Sequence, residues 1–584
     1  MAPNILKSSL ENASFNIIFQ IMCRFVTFFL NAFVVRHVGQ NILGVMNVRL
    51  LLLESMILFL SKEPFMKACL TNTAEHNWAQ VVNLLWMTVP ICVAMSSIFG
   101  YIWLFVLQAP EALPPFYTFA VCAVAISCII ELSSLVVQLV ASAFLFVRLR
   151  LYSKMNCLLV EEGCLFLSNK IYRFFKSYLT DLTTTFVLFV IYNPDNALLA
   201  FGVAQLVAAI FYTISHYAYF HYYIKRVKRH KLKRRLSMSD DGTEEYVESE
   251  FPFMSIKDFL PGQLENHASN PLYKSCSDTL LDEKLSTLTI SFFKQGILKQ
   301  VLTEGERLIM TILPVLTFAE QGVYEVVNNL GSLAARFIFR PIEESGYFYF
   351  TQMVQRDRPI SRQNPANIQE STNVLRYLCS LVTSIGLIVL VFGQSYSSLL
   401  LWLYGGEKLI ADLPVLLLRA HCLAVLLLGV NGVTECYTNA TADSTTINKN
   451  NLMMIYQSIA FLVTSYIFAT WFGSVGFIFG NCVNMILRIY HSVTFINKRY
   501  SETNYQPLLG LVPKPFFSSS LVVAALVTTC SHTYYFPDDK FLHLFIGVIV
   551  FGVVAFSWIY ENYDLLKLGL NKWFERRNRD DKSE

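Results

Sequence analysis

GVMNVRLLLLESMILFLSKEPF, residues 44–65, decides the fold class. Its apolar core, from about 43 to 60, is long enough to cross a bilayer as a helix. It shows none of the period-two alternation of a barrel strand. It ends in Lys62, followed at once by a carboxylate and a proline. Runs of the same character recur on either side. Spans are expected near 15–35, 43–60, 81–107, 116–146, 182–192 and 197–223, then near 298–318, 323–339, 374–392, 415–438, 453–472, 474–496, 516–536 and 541–560. The expected fold is an all-α polytopic membrane protein of about 14 transmembrane helices, six before a polar stretch and eight after it.

Composition agrees. The chain is 54% hydrophobic and 15% charged and carries 47 Phe, whereas soluble domains average about 25% charged residues. The start, MAPNILKSSLENASFN, is polar and lacks the short apolar core and small-residue exit of a cleavable signal. The first span is therefore expected to stay in the mature protein. Thirteen cysteines form no CxxC pair and no cluster with histidine at zinc spacing. They read as buried small hydrophobes, and neither a metal nor a cofactor is expected.

The placement of positive charge orients the chain, because Lys and Arg flanking membrane spans concentrate on the cytosolic side. With both termini cytosolic, the inside segments hold 35 of the 46 Lys and Arg, and the outside loops hold only Arg36, Lys408 and Lys540. The organisation expected is an N-terminal lobe of six spans (1–224), a cytosolic linker (225–294), a C-terminal lobe of six spans (295–496), and two additional spans with a basic cytosolic tail (497–584). The linker opens with KRVKRHKLKRR and runs into SDDGTEEYVESE. Such a basic block either binds anionic lipid heads or serves as a topology anchor.

The opening stretch has an echo. GVYEVVNNLGSLAARFIFRPIEE, 322–344, aligns with 44–65, each as the second span of its half, and each ends in a cation near proline and carboxylates. Six spans return the chain to the same side, so the repeats would be parallel. Transporters built this way carry their substrate site between the halves.

Four spans carry polar residues at helical spacing: Asn16, Gln20, Arg24, Thr27 and Asn31; Gln295, Lys299, Thr303 and Glu306; Glu325, Asn328 or Asn329, Ser332, Arg336 and Arg340; and Asn481, Asn484, Arg488 and His491. Residues three and four apart share a helix face. Facing lipid they would cost kilocalories, so the stripes are expected to line a wet cavity. Each residue also has an ordinary reading, as a hydrogen-bond partner to a neighbouring helix or a snorkelling cation. Seven of the eight cations within spans are Arg. The planar guanidinium suits bidentate phosphate or carboxylate, so the cavity expects an anion. Arg376 and Arg419, near span ends, read as snorkelling. No P-loop is present, and the first outside loop, HVGQNI, offers no carboxylate for a base or metal. An enzyme is not expected, and no feature points to nucleic acid.

The sequence resembles the Rft family of endoplasmic reticulum membrane proteins. The resemblance rests on residues 44–70, 291–310 (SFFKQGILKQVLTEGERLIM), 321–345, 431–436 (NGVTEC) and 473–485 (GSVGFIFGNCVNM). It covers nearly the whole chain. The family is similar to the multidrug/oligosaccharidyl-lipid/polysaccharide exporters, with two six-helix lobes and often an extra helix pair. The resemblance implies residence in the endoplasmic reticulum membrane, membrane lipids as surroundings, and a dolichol-diphosphate oligosaccharide as partner. It places the cavity and motif charges on Arg36, Lys62, Glu306, Arg336, Glu344 and Arg488, to which the first stripe adds Arg24. The segment from Tyr152 to Lys176 departs from the family pattern. Three functions follow from these observations: translocation of the lipid-linked oligosaccharide by rocking of the lobes, binding and delivery of that lipid without translocation, and ion-coupled antiport of a small molecule. Antiport would use a buried carboxylate, for which Glu54 and Glu306 are the candidates.

Overall fold

The structure, a computed structural model, describes residues 32–70, 77–107, 113–143, 196–237, 253–261 and 281–563, positions 254, 314, 334, 357 and 537 aside. Among the described residues the chain is helical and contains no strand. Among the described residues, eight helices are long and apolar enough to cross a membrane: Gln40–Leu70, Trp78–Val106, Ala197–Lys225, Pro365–Leu409, Asp412–Thr441, Leu452–Phe472, Pro507–Tyr535 and Lys540–Glu561. A bent pair, Tyr117–Leu132 with Leu135–Ala141 at 50°, makes a ninth if it is one span. The expected spans at 298–318, 323–339 and 474–496 are largely helical but do not meet that criterion. Each carries one of the polar stripes, and the first two are also broken, before Gly305 and after Gly331. The expected spans at 15–35, for all but its last residues, and at 182–192 lie outside the described residues, as does the divergent segment 152–176.

The chain divides into two compact units, Met1–Gly322 and Val323–Glu584. In the first, helix α1 (Gln40–Leu70) opens with a π turn over Val45–Leu50 and carries Pro64 in its last third. Its entry is fixed by a glycine contact. A Cβ on Gly44 would run into the carbonyl of Phe318, and a Cβ on Gly322 would run into the carbonyl of Gln40. These two glycines are the residues that the internal repeat aligns, and each touches the residue four before its counterpart. Apolar side chains gain little by leaving lipid for one another, so close backbone approach of this kind supplies packing energy that burial does not. Arg49, on the π turn, is 1% exposed, with its guanidinium carbon 4.9 Å from the centre of the Phe318 ring.

Helix α2 (Trp78–Val106) packs beside the bent pair α3 (Tyr117–Leu132) and α4 (Leu135–Ala143). The bend exposes backbone carbonyls that lipid cannot satisfy. Helix α5 (Ala197–Ser237) satisfies them: Thr213 donates to the Ile130 carbonyl at 3.0 Å and Tyr217 to the Ser133 carbonyl at 2.9 Å. The same helix continues through the basic block, so that part of the expected linker is helical. Another part docks. Ser255 and Asp258 form a capping box around a short turn. Phe253 stacks on Phe259 at 4.6 Å, and Trp86 donates to the Phe259 carbonyl. Helix α6 (Glu283–Thr303) then begins at an Asp282 cap and breaks at Glu304 before the short α7 (Gly305–Ile312).

The unit boundary falls within α8 (Phe318–Gly331), after which comes a second π turn at Ala335–Phe339 and α9 (Arg340–Met353). The second unit is built on α10 (Pro365–Gly405), α11 (Asp412–Thr441), α12 (Ser444–Phe472) and α13 (Ser474–Tyr500), packed in sequence pairs and with α11 against α13. Its buried centre includes Phe350, Tyr437 and Tyr500, the two tyrosine hydroxyls 2.9 Å apart. Helices α14 (Pro515–Tyr535) and α15 (Lys540–Glu561) pack on each other, and α14 lies against α10. Glu561 caps α14 by accepting from the backbone N–H of Phe516 and Phe517, a carboxylate at a helix N-terminus.

Candidate functional site

In the second unit the polar stripe of α13 meets α11 and α12. Arg488 Nη2 donates to both carboxylate oxygens of Glu435, at 2.7 and 2.6 Å. Asn431, one turn earlier on α11, donates its amide to Glu435 at 3.1 Å. His491 lies 2.9 Å from the Asn450 side-chain oxygen on α12. Two amide oxygens of the cluster, Asn431 Oδ1 and Asn484 Oδ1, are buried with no donor. A buried acceptor without a donor costs about 1–3 kcal/mol. Arg488 also keeps capacity in reserve. Its Nε and Nη1 donate to no partner among the described residues, and the side chain is 30% exposed. A guanidinium with one nitrogen engaged and two directions open can take a second acceptor such as a phosphate oxygen.

Glu343 on α9 adds a second carboxylate. Its carboxylate end occupies the space that a Cβ on Gly432 would need. Its own backbone carbonyl accepts from the Cys436 thiol at 3.2 Å.

In the first unit, Lys62 on α1 donates to Glu131 on α3 at 2.7 Å, each side chain 25% exposed. Glu131 sits where α3 breaks, and Ser134 donates to its carbonyl. A second network joins α1 to the break after α6: Gln300 donates to Ser55 at 2.7 Å, Ser55 to Glu304 at 2.8 Å, and Arg307 to Glu304 at 3.2 Å.

The expected site residues therefore fall as follows. Arg488 and Lys62 are both paired with carboxylates on neighbouring helices. Arg36 is exposed just before α1, and roughly 33 Å of helix, 22 residues at about 1.5 Å each, separates the start of α1 from Lys62. Arg36 and Lys62 thus mark opposite ends of α1. Glu306 is half-buried in the first turn of α7. The helix break at Glu304 interrupts the stripe that led to it, and Gln300 and Glu304 make the interhelical contacts. Glu344 pairs with Arg340 on its own helix at 3.0 Å, in an exposed position. Arg340 is the repeat counterpart of Lys62, so the two equivalent cations have different partners. Arg24 and the side chain of Arg336 lie outside what the structure describes. Sequence reasoning missed Glu131 and Glu435. Each is the only carboxylate in its apolar run, 116–146 and 415–438, and a lone carboxylate in a span calls for a cation nearby.

The arrangement is that of a helical membrane protein with polar and ionic clusters within its helix packing. The fold is similar to that of the lipid II flippase MurJ in its inward closed conformation, with a TM-score of 0.57 and 10% identity, covering 94% of this chain and 99% of that one. Residues 8–572 match the Rft protein family, and the chain belongs to that family. The Drosophila melanogaster protein designated Man(5)GlcNAc(2)-PP-dolichol translocation protein RFT1 is 43% identical over 579 residues, covering 97% of this chain and 98% of the relative. Proteins of the same designation from Xenopus tropicalis and Saccharomyces cerevisiae are 38% and 25% identical, covering 94% and 86% of this chain and 93% and 84% of those relatives.

Proposed function

We propose that the protein translocates a dolichol-diphosphate-linked oligosaccharide from the cytosolic to the lumenal face of the endoplasmic reticulum membrane, for use in protein N-glycosylation. The observation that carries this reading is Arg488, held on Glu435 by one nitrogen with its other donors unspent. A diphosphate is the part of such a substrate that would claim those donors, and sugar hydroxyls would supply what Asn431 and Asn484 lack. The designations of the relatives name the same class of substrate.

In this reading the chain has 14 spans with both termini cytosolic. It comprises lobes at 1–224 and 295–496, a cytosolic linker at 225–294, and an additional helix pair with a basic tail at 497–584. The lobes rock about a cavity to which Arg24, Arg36, Lys62, Glu306, Arg336, Glu344 and Arg488 contribute. The polyprenyl tail stays in the bilayer throughout, and no bond is made or broken.

Reconstitution tests this directly. Purified protein in liposomes is given a labelled lipid-linked oligosaccharide, and its exposure on the outer leaflet is followed with an impermeant glycan-cleaving enzyme. Translocation makes the whole pool cleavable, against about half in empty liposomes. A pool that stays half-protected while the protein binds the lipid would replace translocation with delivery.

A further inference from the structure

Glu343 is half-buried, and its carboxylate has no hydrogen-bond or ion-pair partner among the described residues. It is pressed against Gly432, beside the turn of α11 that carries Asn431 and Glu435. Asn431 is only 5% exposed and spends its amide N–H on Glu435, leaving its oxygen without a donor. Among the described residues, the charges facing Glu343 can be named element by element. On its own helix are Arg340, already paired with Glu344, and Glu344 itself. From α11 comes Glu435, and from α13 comes Arg488, which Glu435 holds. Two carboxylates therefore lie near one arginine, which only Glu435 holds.

We propose that Glu343 and Glu435 form a carboxylate pair that takes up a proton when an anionic ligand claims Arg488, so that anion binding at this site is linked to proton uptake. The proposal rests on the anion-binding reading of Arg488 given above. Once a diphosphate draws Arg488 away, Glu435 loses its counter-ion beside a second carboxylate that never had one. Two adjacent carboxylates in a poorly solvated site do not both stay ionised, and the pair binds one proton between them. The proton comes from water. The helix bearing Glu343, Arg340–Met353, is not among those long and apolar enough to span the membrane. Burial first, and the charge of Glu435 second, push its carboxyl above the ordinary range. Glu344 adds to this, and Arg340 and Arg488 oppose it. Linkage then fixes the sign: a ligand that binds with proton uptake binds more tightly as pH falls.

Two measurements on the full-length protein separate the failure of this proposal from failure of the function reading. The first uses no ligand. Arg488→Ala removes the counter-ion as an anion would, and infrared spectroscopy at neutral pH should show a protonated-carboxyl band absent from the wild type and lost again in Arg488→Ala with Glu343→Gln. No new band in Arg488→Ala, or a band that survives Glu343→Gln, overturns the proposal. The second is calorimetric titration with farnesyl diphosphate in buffers of different ionisation enthalpy. It should give uptake of about one proton per site in the wild type and close to none in Glu343→Gln, with binding retained. Equal proton counts in the two proteins would also overturn it. Absence of any diphosphate binding, with the infrared band present, would sink the anion reading of Arg488 and leave the carboxylate pair standing.

Discussion

Arg488 and Glu435 are joined through one guanidinium nitrogen that contacts both carboxylate oxygens, at 2.7 and 2.6 Å, on helices 53 positions apart in the chain. The geometry neutralises Glu435 and leaves most of the arginine's hydrogen-bonding capacity unspent. A pair built only for stability would be expected to use the guanidinium fork in full. This one is arranged so that the carboxylate competes with whatever else can accept from Arg488.

Competition predicts opposite effects of the two partners. Glu435→Gln should tighten diphosphate binding several-fold, because the neutral amide holds Arg488 less strongly, and should slow translocation, because the ligand is then released less readily. Arg488→Ala should abolish diphosphate binding. It should also cost about 1–2 kcal/mol of stability, less than the roughly 3–5 kcal/mol of a fully buried pair, because both side chains keep some solvent. Binding of farnesyl diphosphate to the purified variants, compared with their thermal unfolding, checks both.

Lys62 and Glu131 should behave as a structural pair within the first unit. Each single alanine substitution should lower stability, and the double substitution should cost less than their sum by about 1 kcal/mol. A double-mutant cycle on thermal unfolding measures the coupling. Additive effects would mean that the contact contributes nothing.

Gly44 and Gly322 predict a steric effect with no chemical component. Alanine at either position places a methyl group against a backbone carbonyl on the facing helix, so each substitution should destabilise by about 1–3 kcal/mol. Because the two alanines would open the same contact, the double variant should cost less than the sum. Unfolding temperatures of the three variants test this.

Tyr217→Phe removes the donor that satisfies the Ser133 carbonyl at the bend between α3 and α4. Backbone left unpaired at membrane depth should cost about 1–2 kcal/mol. Thr213→Val should add little, because the Ile130 carbonyl also accepts from the Ser133 hydroxyl. Amide hydrogen exchange should report the loss as faster opening around 130–134, with little change in the second unit.

Much of this architecture was legible from run length. The apolar runs at 81–107, 197–223, 415–438, 453–472 and 541–560 correspond closely to helices of the structure, since a bilayer imposes a length that composition reports. The repeat was legible through Gly44 and Gly322, whose mutual contact now gives the alignment a physical meaning. Breaks and partners were not legible. Helix α6 ends at Glu304 although its periodicity continues through Glu306, because a stripe of period 3.6 does not show where the backbone bends. Arg488 stood out as a cation at helical spacing, but its partner sits on another helix and follows from packing alone. Glu343 and Glu344 both follow Arg340 in sequence, and which of them it takes, Glu344, was decided by packing alone.

The most direct test of the central claim, that Arg488 holds the diphosphate of a lipid-linked oligosaccharide, is the profile of dolichol-linked oligosaccharides in cells depleted of the protein and supplied with Arg488→Ala at wild-type abundance. Accumulation of the intermediate completed on the cytosolic face, relieved by the wild-type chain and not by Arg488→Ala, is the predicted result. A normal profile with Arg488→Ala correctly inserted would contradict it.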